Sequence, residues 1–159
     1  PSLFIEVGST AETWHHQGAA DLLARIIFSG LALDGGAGFG KWDEDKNSGE
    51  LVVITLGGGH YAPRGNLLGI NEGIWIGHML ANYALPFIAP DLDGEPVMGQ
   101  WKNSIDAAIK STMKSFPGGK IIFSWDKKSF KGWQRQAIRN RAAELEIPLL
   151  NSKSILEML

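Results

Sequence analysis

The fold of this chain is decided by the stretch Leu51-Val52-Val53-Ile54-Thr55-Leu56-Gly57-Gly58-Gly59-His60-Tyr61-Ala62-Pro63-Arg64. Its first six residues are apolar and largely β-branched, which predicts a buried strand. The three glycines that follow allow the backbone to turn sharply or a ligand to come close. Ligands of α/β proteins usually bind where loops leave the strand ends. The imidazole, phenol and guanidinium behind the glycines are therefore candidate site groups.

Strands and helices are predicted to alternate along the rest of the chain. Apolar runs predict further strands at residues 3–7, 74–80, 120–125 and 147–150. A capping box formed by Ser9 and Glu12 predicts a helix that ends near Gly30, and periodic apolar residues predict helices over 105–116 and 130–144. Residues 34–50 are predicted to be a surface loop and residues 86–99 an irregular crossing. This alternation predicts one α/β domain over residues 1–159, with a mixed, largely parallel central sheet flanked by helices.

Composition excludes several classes of function. The 159 residues contain no cysteine, which excludes disulfides, thiolate metal sites and a cysteine nucleophile. No apolar stretch approaches the roughly 20 residues that a membrane helix needs, so no membrane partner is expected. Nothing at the start of the chain resembles a signal peptide. We therefore expect a cytoplasmic protein, and the sequence does not indicate an oligomeric state.

Charge is divided unevenly along the chain. Residues 1–99 hold 4 Lys/Arg against 12 Asp/Glu, whereas residues 100–159 hold 11 against 5. In the predicted helix at 130–144, Lys131, Arg135 and Arg139 fall on one stripe, with Lys128 just upstream and with Phe130, Trp133, Ala137 and Leu145 opposite. A core face backed by a purely basic face indicates contact with a phosphate backbone. The alternatives are chance segregation of charge and a solvated outer face.

Three groups are candidates for chemistry, namely His60, His78 and the lone strand carboxylate Glu6. Two imidazoles, a carboxylate and a water form a recognised catalytic zinc set. The same groups without metal can serve as a general base with an orienting partner. Alternatively, Glu6 is a paired buried carboxylate and one histidine only satisfies a backbone carbonyl. No His-Glu-x-x-His motif is present, so spacing alone does not select the metal.

Four further residues are candidates for binding at the same edge of the sheet. Arg64 can grip a phosphate or carboxylate, or cap a turn, and Tyr61 can stack on a base or lie in the core. Asp126 and Lys127 follow the predicted strand at 120–125, which places them at the rim expected for His60.

Several segments together resemble the second type of D-aminoacyl-tRNA deacylase, the type found in archaea and plants. They are Phe4 to Thr10, Gly57 to Arg64, Ile76 to His78, Trp101 to Ile105, Ser115 to Lys120 and Lys128 to Gln134. The resemblance implies hydrolysis of the ester between a D-amino acid and the terminal ribose of tRNA, on a fold similar to phosphorylase and peptidyl-tRNA hydrolase, with zinc associated with the activity.

The resemblance also implies roles for the candidate residues. His60, His78 and Glu6 would form the metal-binding or acid–base set. Substrate would be bound by Gly57, Gly58, Gly59, Tyr61, Arg64, Asp126 and Lys127. The tRNA stem would be bound by Lys128, Lys131, Arg135 and Arg139.

Members of the resembled family carry a further segment, with a His-His-Gly-Pro motif, before the position equivalent to Pro1. The chain is therefore expected to match the C-terminal part of the family. Two alternatives to a complete deacylase follow. One is a non-catalytic module that binds tRNA or nucleotides, and the other is a metal-dependent hydrolase of small amides or peptides.

Overall fold

The computed structural model describes residues 5, 10–36, 38, 40–92 and 94–159. Glu6, the capping residue Ser9 and nearly all of the predicted strand at 3–7 lie outside these residues. The chain divides into two compact units, Pro1–Trp42 and Asp43–Leu159, and each is described by itself.

The first unit contains one long helix, α1 (Gln17–Gly30), which ends where the sequence predicts. The helix begins later than the capping box at Ser9 and Glu12 predicts: residues 11–15 form turns, and the helix starts at Gln17. The cap is His16, whose Nδ1 accepts the backbone N–H of Ala19 at 3.1 Å. An imidazole nitrogen thus satisfies one of the donors that every helix start leaves open.

The second unit is built on a parallel sheet. Its strands are β1 (Leu51–Leu56), β2 (Ile74–Leu80), β3 (Phe87–Ile88), β4 (Met98–Gly99), β5 (Lys120–Trp125) and β6 (Leu149–Leu150). Four of them form one sheet in the order β2-β1-β5-β6, with every pair parallel. The strands β3 and β4 form a separate antiparallel hairpin within the segment predicted to be irregular. The prediction of a largely parallel α/β sheet is confirmed.

Helices cover both faces of this sheet. They are α3 (Pro63–Gly69), α4 (Trp101–Ser115), α5 (Gly132–Glu144) and α6 (Ser152–Leu156), and a short helix, α2 (Glu44–Asn47), precedes β1. Alternate strand residues face opposite sides. Ile54 and Phe123 face the core beneath α4 and α5, whereas Val53 and Ile122 face the core beneath α3 and α6. Because both faces of the strands are buried in these apolar cores, the strands read as continuous apolar runs.

A β-bulge reorients the end of β2. The register with β1 pairs Val53 with Ile76 and then Ile54 with His78, so that Gly77 is the extra residue. A Cβ on Gly77 would lie 2.6 Å from the side chain of Thr112 on α4. The absence of a side chain therefore lets α4 approach the strand, and the extra residue turns His78 toward that helix.

Aromatic side chains anchor the hairpin of β3 and β4. The ring of Phe87 stacks on Trp101 at 4.9 Å between centroids and meets Trp133 edge-on at 5.9 Å. Such pairs add about 0.5–1.5 kcal/mol each beyond their buried area. Among the helices of the described residues, none is long and apolar enough to cross a bilayer.

Candidate active site

A notch of about 70 Å³ opens where β1 and β5 end, at the carboxyl edge of the sheet. Its walls are formed by Thr55, Leu56, Gly57, Gly58, Gly59, Ala62, Pro63, Arg64, Gly65, Ser124, Trp125 and Asp126. Five residues predicted to bind substrate are thus brought together, namely the three glycines, Arg64 and Asp126. Parallel sheets present their ligand sites at this edge.

The glycine turn is fixed to the strands on either side of it. The N–H of Gly57 donates to the carbonyl of Leu80 at 2.7 Å, and the N–H of Gly58 donates to Ser129 Oγ at 3.0 Å. Ser129 Oγ in turn donates to the carbonyl of Asp126 at 2.8 Å. Ser129 was not predicted as a site residue, although it lies in the segment Lys128 to Gln134 that contributes to the family resemblance. The turn is consequently rigid where it borders the notch.

Arg64 and Asp126 close the notch from opposite sides. Arg64 lies in the first turn of α3, and its Nη1 is 2.7 Å from Asp126 Oδ1. The Arg64 side chain remains 48% exposed, so it presents further N–H donors to solvent. Exposed pairs of this kind are worth about 0–1 kcal/mol, and an anionic ligand can therefore compete with Asp126 for the guanidinium. Asp126 acts here as the partner that positions Arg64.

His60 lies on the exposed turn beyond the notch and is not part of its wall. Its Nδ1 is 3.4 Å from the hydroxyl of Tyr83, and its ring meets Tyr61 edge-on at 5.4 Å. Tyr83 was not predicted as a site residue. The three rings form a contiguous aromatic group at the rim.

His78 lies in a different environment. It is half-buried, its Nδ1 is 3.0 Å from Thr112 Oγ1, and burial lowers the pKa of its imidazole. It sits two residues, about 7 Å, before the end of β2 and faces α4. His60 and His78 thus have separate partners.

The zinc set predicted from His60, His78 and Glu6 is not assembled by the described residues. Within residues 5, 10–36, 38, 40–92 and 94–159, no three His, Cys, Asp or Glu side chains are grouped closely enough to hold a metal ion. Glu6 lies outside the residues that the structure describes. The metal assignment therefore stays a prediction.

Lowering the pH is expected to destabilise the fold through His78. Because burial holds the pKa of His78 below its ordinary value of 6.5, the unfolded chain binds the proton first as the pH falls. The free energy of unfolding should be insensitive to this group above pH 6.5 and should decrease as the pH falls from 6.5 toward the lowered pKa. His78→Gln keeps a polar partner for Thr112 and should remove this part of the pH dependence. Urea unfolding of both proteins at about pH 7.5 and about pH 5.5 measures it; an unchanged dependence would contradict the assignment.

Basic side chains continue from the notch along α5. Lys127 and Lys128 lie in a 3-10 turn after β5 and are exposed, and Lys131 precedes the first turn of α5. The Arg139 guanidinium lies 5.4 Å from the ring centre of Trp125, a notch residue. In the part of the chain that the structure describes, no carboxylate pairs with Lys127, Lys128, Lys131, Arg135 or Arg139.

Arg141, the next cation along α5, has acidic partners. Arg141 binds Asp106 at 2.6 Å and Glu144 at 3.0 Å, and the bond to Asp106 raises the pKa of the guanidinium above its ordinary value. On the core face of α5 the most buried residues are Ile138 and Ala142, whereas Trp133, Ala137 and Leu145 are only partly buried. Among the described residues, the five cations from Lys127 to Arg139 therefore have no carboxylate partner.

Comparison with known proteins adds an independent finding. Residues 1–150 match a family model described as D-aminoacyl-tRNA deacylase. The chain is 43% identical over 152 residues to the D-aminoacyl-tRNA deacylase of Arabidopsis thaliana, covering 92% of this chain and 48% of that protein. It is 29% identical to the deacylase of Pyrococcus abyssi and 31% identical to that of Thermococcus onnurineus, each match covering 94% of this chain and 45% of the other. The chain spans about half the length of the curated relatives that it matches.

Proposed function

Because the chain belongs to the D-aminoacyl-tRNA deacylase family, we propose that it hydrolyses the ester that joins a D-amino acid to tRNA. The products are the free D-amino acid and tRNA. The observation that carries the proposal is the hydrogen-bonded glycine notch at the carboxyl edge of the sheet, next to Lys127 and Lys128, which have no acidic partner among the described residues. A tRNA substrate would place the protein in the cytoplasm.

The reaction needs a base, an activated water and a donor to the developing oxyanion. His60 is the proposed base: it takes a proton from water as the oxygen attacks the ester carbonyl, and the proton passes to the ribose oxygen as the ester bond breaks. The N–H groups of Gly57 and Gly58 already donate to Leu80 and Ser129. Of the three glycines in the described turn, only Gly59 thus retains an N–H for the oxyanion.

The cations supply the attraction for a polyanion. Lys127, Lys128 and Lys131 are exposed, and Arg139 lies over a residue of the notch. Among the described residues, Arg64 is the one cation in the notch wall, where a phosphate of the acceptor end can compete with Asp126. The backbone of the tRNA would follow the cations, and the ester would lie at the glycine turn.

The direct test is release of D-tyrosine from D-tyrosyl-tRNA by this chain, with and without added zinc, and with L-tyrosyl-tRNA as the matched control. D-selective release supports the proposal, and a dependence on zinc would support the metal prediction. Equal release from both substrates would contradict a deacylase selective for D-residues.

A second candidate is a tRNA-binding module that has no turnover of its own. It is favoured by Lys127, Lys128 and Lys131, which are exposed, have no carboxylate partner among the described residues and attract a polyanion without any catalytic group. Salt-dependent binding of tRNA with no release of either amino acid would favour it over the enzyme.

Changing Lys127, Lys128 and Lys131 together to glutamine is expected to weaken tRNA binding and its salt dependence. Each lost phosphate contact lowers the slope of log affinity against log salt by about 1, so the triple variant should lose about 3. These side chains are exposed, and the free energy of unfolding should change by less than about 1 kcal/mol. Binding titrations at several salt concentrations measure the slope, with Lys46→Gln, a lysine already paired with Asp43, as the control. An unchanged slope would place the tRNA elsewhere.

A further inference from the structure

We propose that Tyr61 and Tyr83, joined by His60, form a platform on which unpaired bases of the tRNA acceptor end stack. The inference rests on the proposed function and specifies the part of the substrate that this rim contacts. It assigns a role to Tyr83, which neither the sequence patterns nor the notch include.

The first observation is the exposure of the two rings. Tyr61 is 78% exposed and Tyr83 is 72% exposed. Tyrosine rings bury large areas when they pack in a core, so two rings this exposed, each in contact with His60, contribute little to folding. They offer flat apolar faces to a ligand instead.

The second observation is that the rings are held in place. The N–H of Asn82 donates to the carbonyl of Gly58 at 3.0 Å, which attaches the turn that carries Tyr83 to the glycine turn. The Tyr83 hydroxyl is 3.4 Å from His60 Nδ1, and the His60 ring meets Tyr61 edge-on. A platform fixed in advance loses less conformational entropy when a ligand binds.

The third observation is the size of the notch. Ligand pockets that enclose a whole small molecule measure roughly 300–1,000 Å³. The notch measures about 70 Å³, well below that range, so it does not enclose a whole ligand. Groups next to the ester then contact the surface around it, and the aromatic rim adjoins the glycine turn.

The chemistry of the ligand follows from the rings together with the cations. Binding of single-stranded nucleic acid combines aromatic side chains, on which bases stack, with a groove of positive charge. Lys127 and Lys128, at the end of β5, supply that charge without a carboxylate partner in the described chain. A paired stem hides its base faces, whereas an unpaired end presents them. The rim is therefore suited to the single-stranded end rather than to the stem.

The test compares two RNA hairpins that share one stem, of which one is blunt and one carries an unpaired four-nucleotide 3′ tail. The full chain should bind the tailed hairpin more tightly, by about 5- to 150-fold for each stacked base. Tyr61→Ala with Tyr83→Ala should reduce the affinity for the tailed hairpin to that of the blunt one. Tyr61→Phe with Tyr83→Phe should retain it, because the faces that stack remain.

A control variant shows whether a loss of affinity is specific to the aromatic rim. Met113→Ala removes an exposed apolar side chain from α4, away from the rim, and should leave both affinities unchanged. Equal affinity for the two hairpins, or equal losses in the Phe and Ala variants, would overturn the platform and leave the tRNA proposal standing. Failure to bind either hairpin would overturn both.

Discussion

Replacing Gly57 with alanine is expected to destabilise the second unit by about 2–5 kcal/mol. Gly57 has φ near +86°, a left-handed conformation that costs an L-residue about 1–2 kcal/mol. A Cβ there would also overlap Ser129 Oγ and lie 2.5 Å from the Phe130 ring, and overpacking of this kind costs about 1–3 kcal/mol. Urea unfolding measures the loss. Because Ser129 would be displaced from the N–H of Gly58, the shape of the notch should change as well.

Gly59→Ala is the matched control for this prediction. A Cβ on Gly59 would meet no atom within 4 Å, and its φ lies outside the left-handed range. We expect a change of less than about 0.5 kcal/mol in the free energy of unfolding. Equal decreases in the free energy of unfolding for Gly57→Ala and Gly59→Ala would contradict the prediction. The stability of the turn would then not depend on the left-handed backbone and the close contact with Ser129 at Gly57.

The long elements could be predicted from the sequence because each has a local signal. The strands β1, β2 and β5 are apolar runs of six or seven residues, and α4 has a periodic apolar face. The helices α3 and α6, of seven and five residues, were missed because they are too short to show a period. Pro63 occupies the first position of α3, where proline is well tolerated.

The candidate site was only partly predictable, for a reason of sequence distance. Gly57 to Arg64 are neighbours in the chain, so one motif marks them. The contacts that fix them come from far away: Ser129 lies 71 positions from Gly58, and Tyr83 lies 23 positions from His60. Periodicity carries no information about such contacts, which the packing of the strands creates.

His78 illustrates the same limit within one strand. Strict alternation along β2 would place it on the face of Ile74 and Ile76, toward α3 and α6. The bulge at Gly77 inverts that order and turns the imidazole toward Thr112 on α4. A glycine within an apolar run is a signal for a bulge, but it does not state which helix the next residue will face.

Replacing His60 with alanine is expected to reduce release of the D-amino acid by about 10²- to 10⁴-fold, the contribution typical of a positioned general base. That loss corresponds to roughly 3–5 kcal/mol of transition-state stabilisation. His60 is exposed, so the free energy of unfolding should change by less than about 1 kcal/mol. Single-turnover release of D-tyrosine from D-tyrosyl-tRNA under saturating protein measures the rate without a contribution from product release.

Two controls decide whether the loss belongs to the imidazole itself. His15→Ala removes another exposed histidine and should leave the rate unchanged. Tyr83→Phe removes the hydroxyl that lies 3.4 Å from His60 Nδ1 but keeps the ring, and should reduce the rate less than His60→Ala does. Turnover by His60→Ala equal to that of the unaltered chain would exclude His60 as the base. His78→Gln would then be the next variant to assay, because a fall in its rate would move the catalytic role to the bulge of β2.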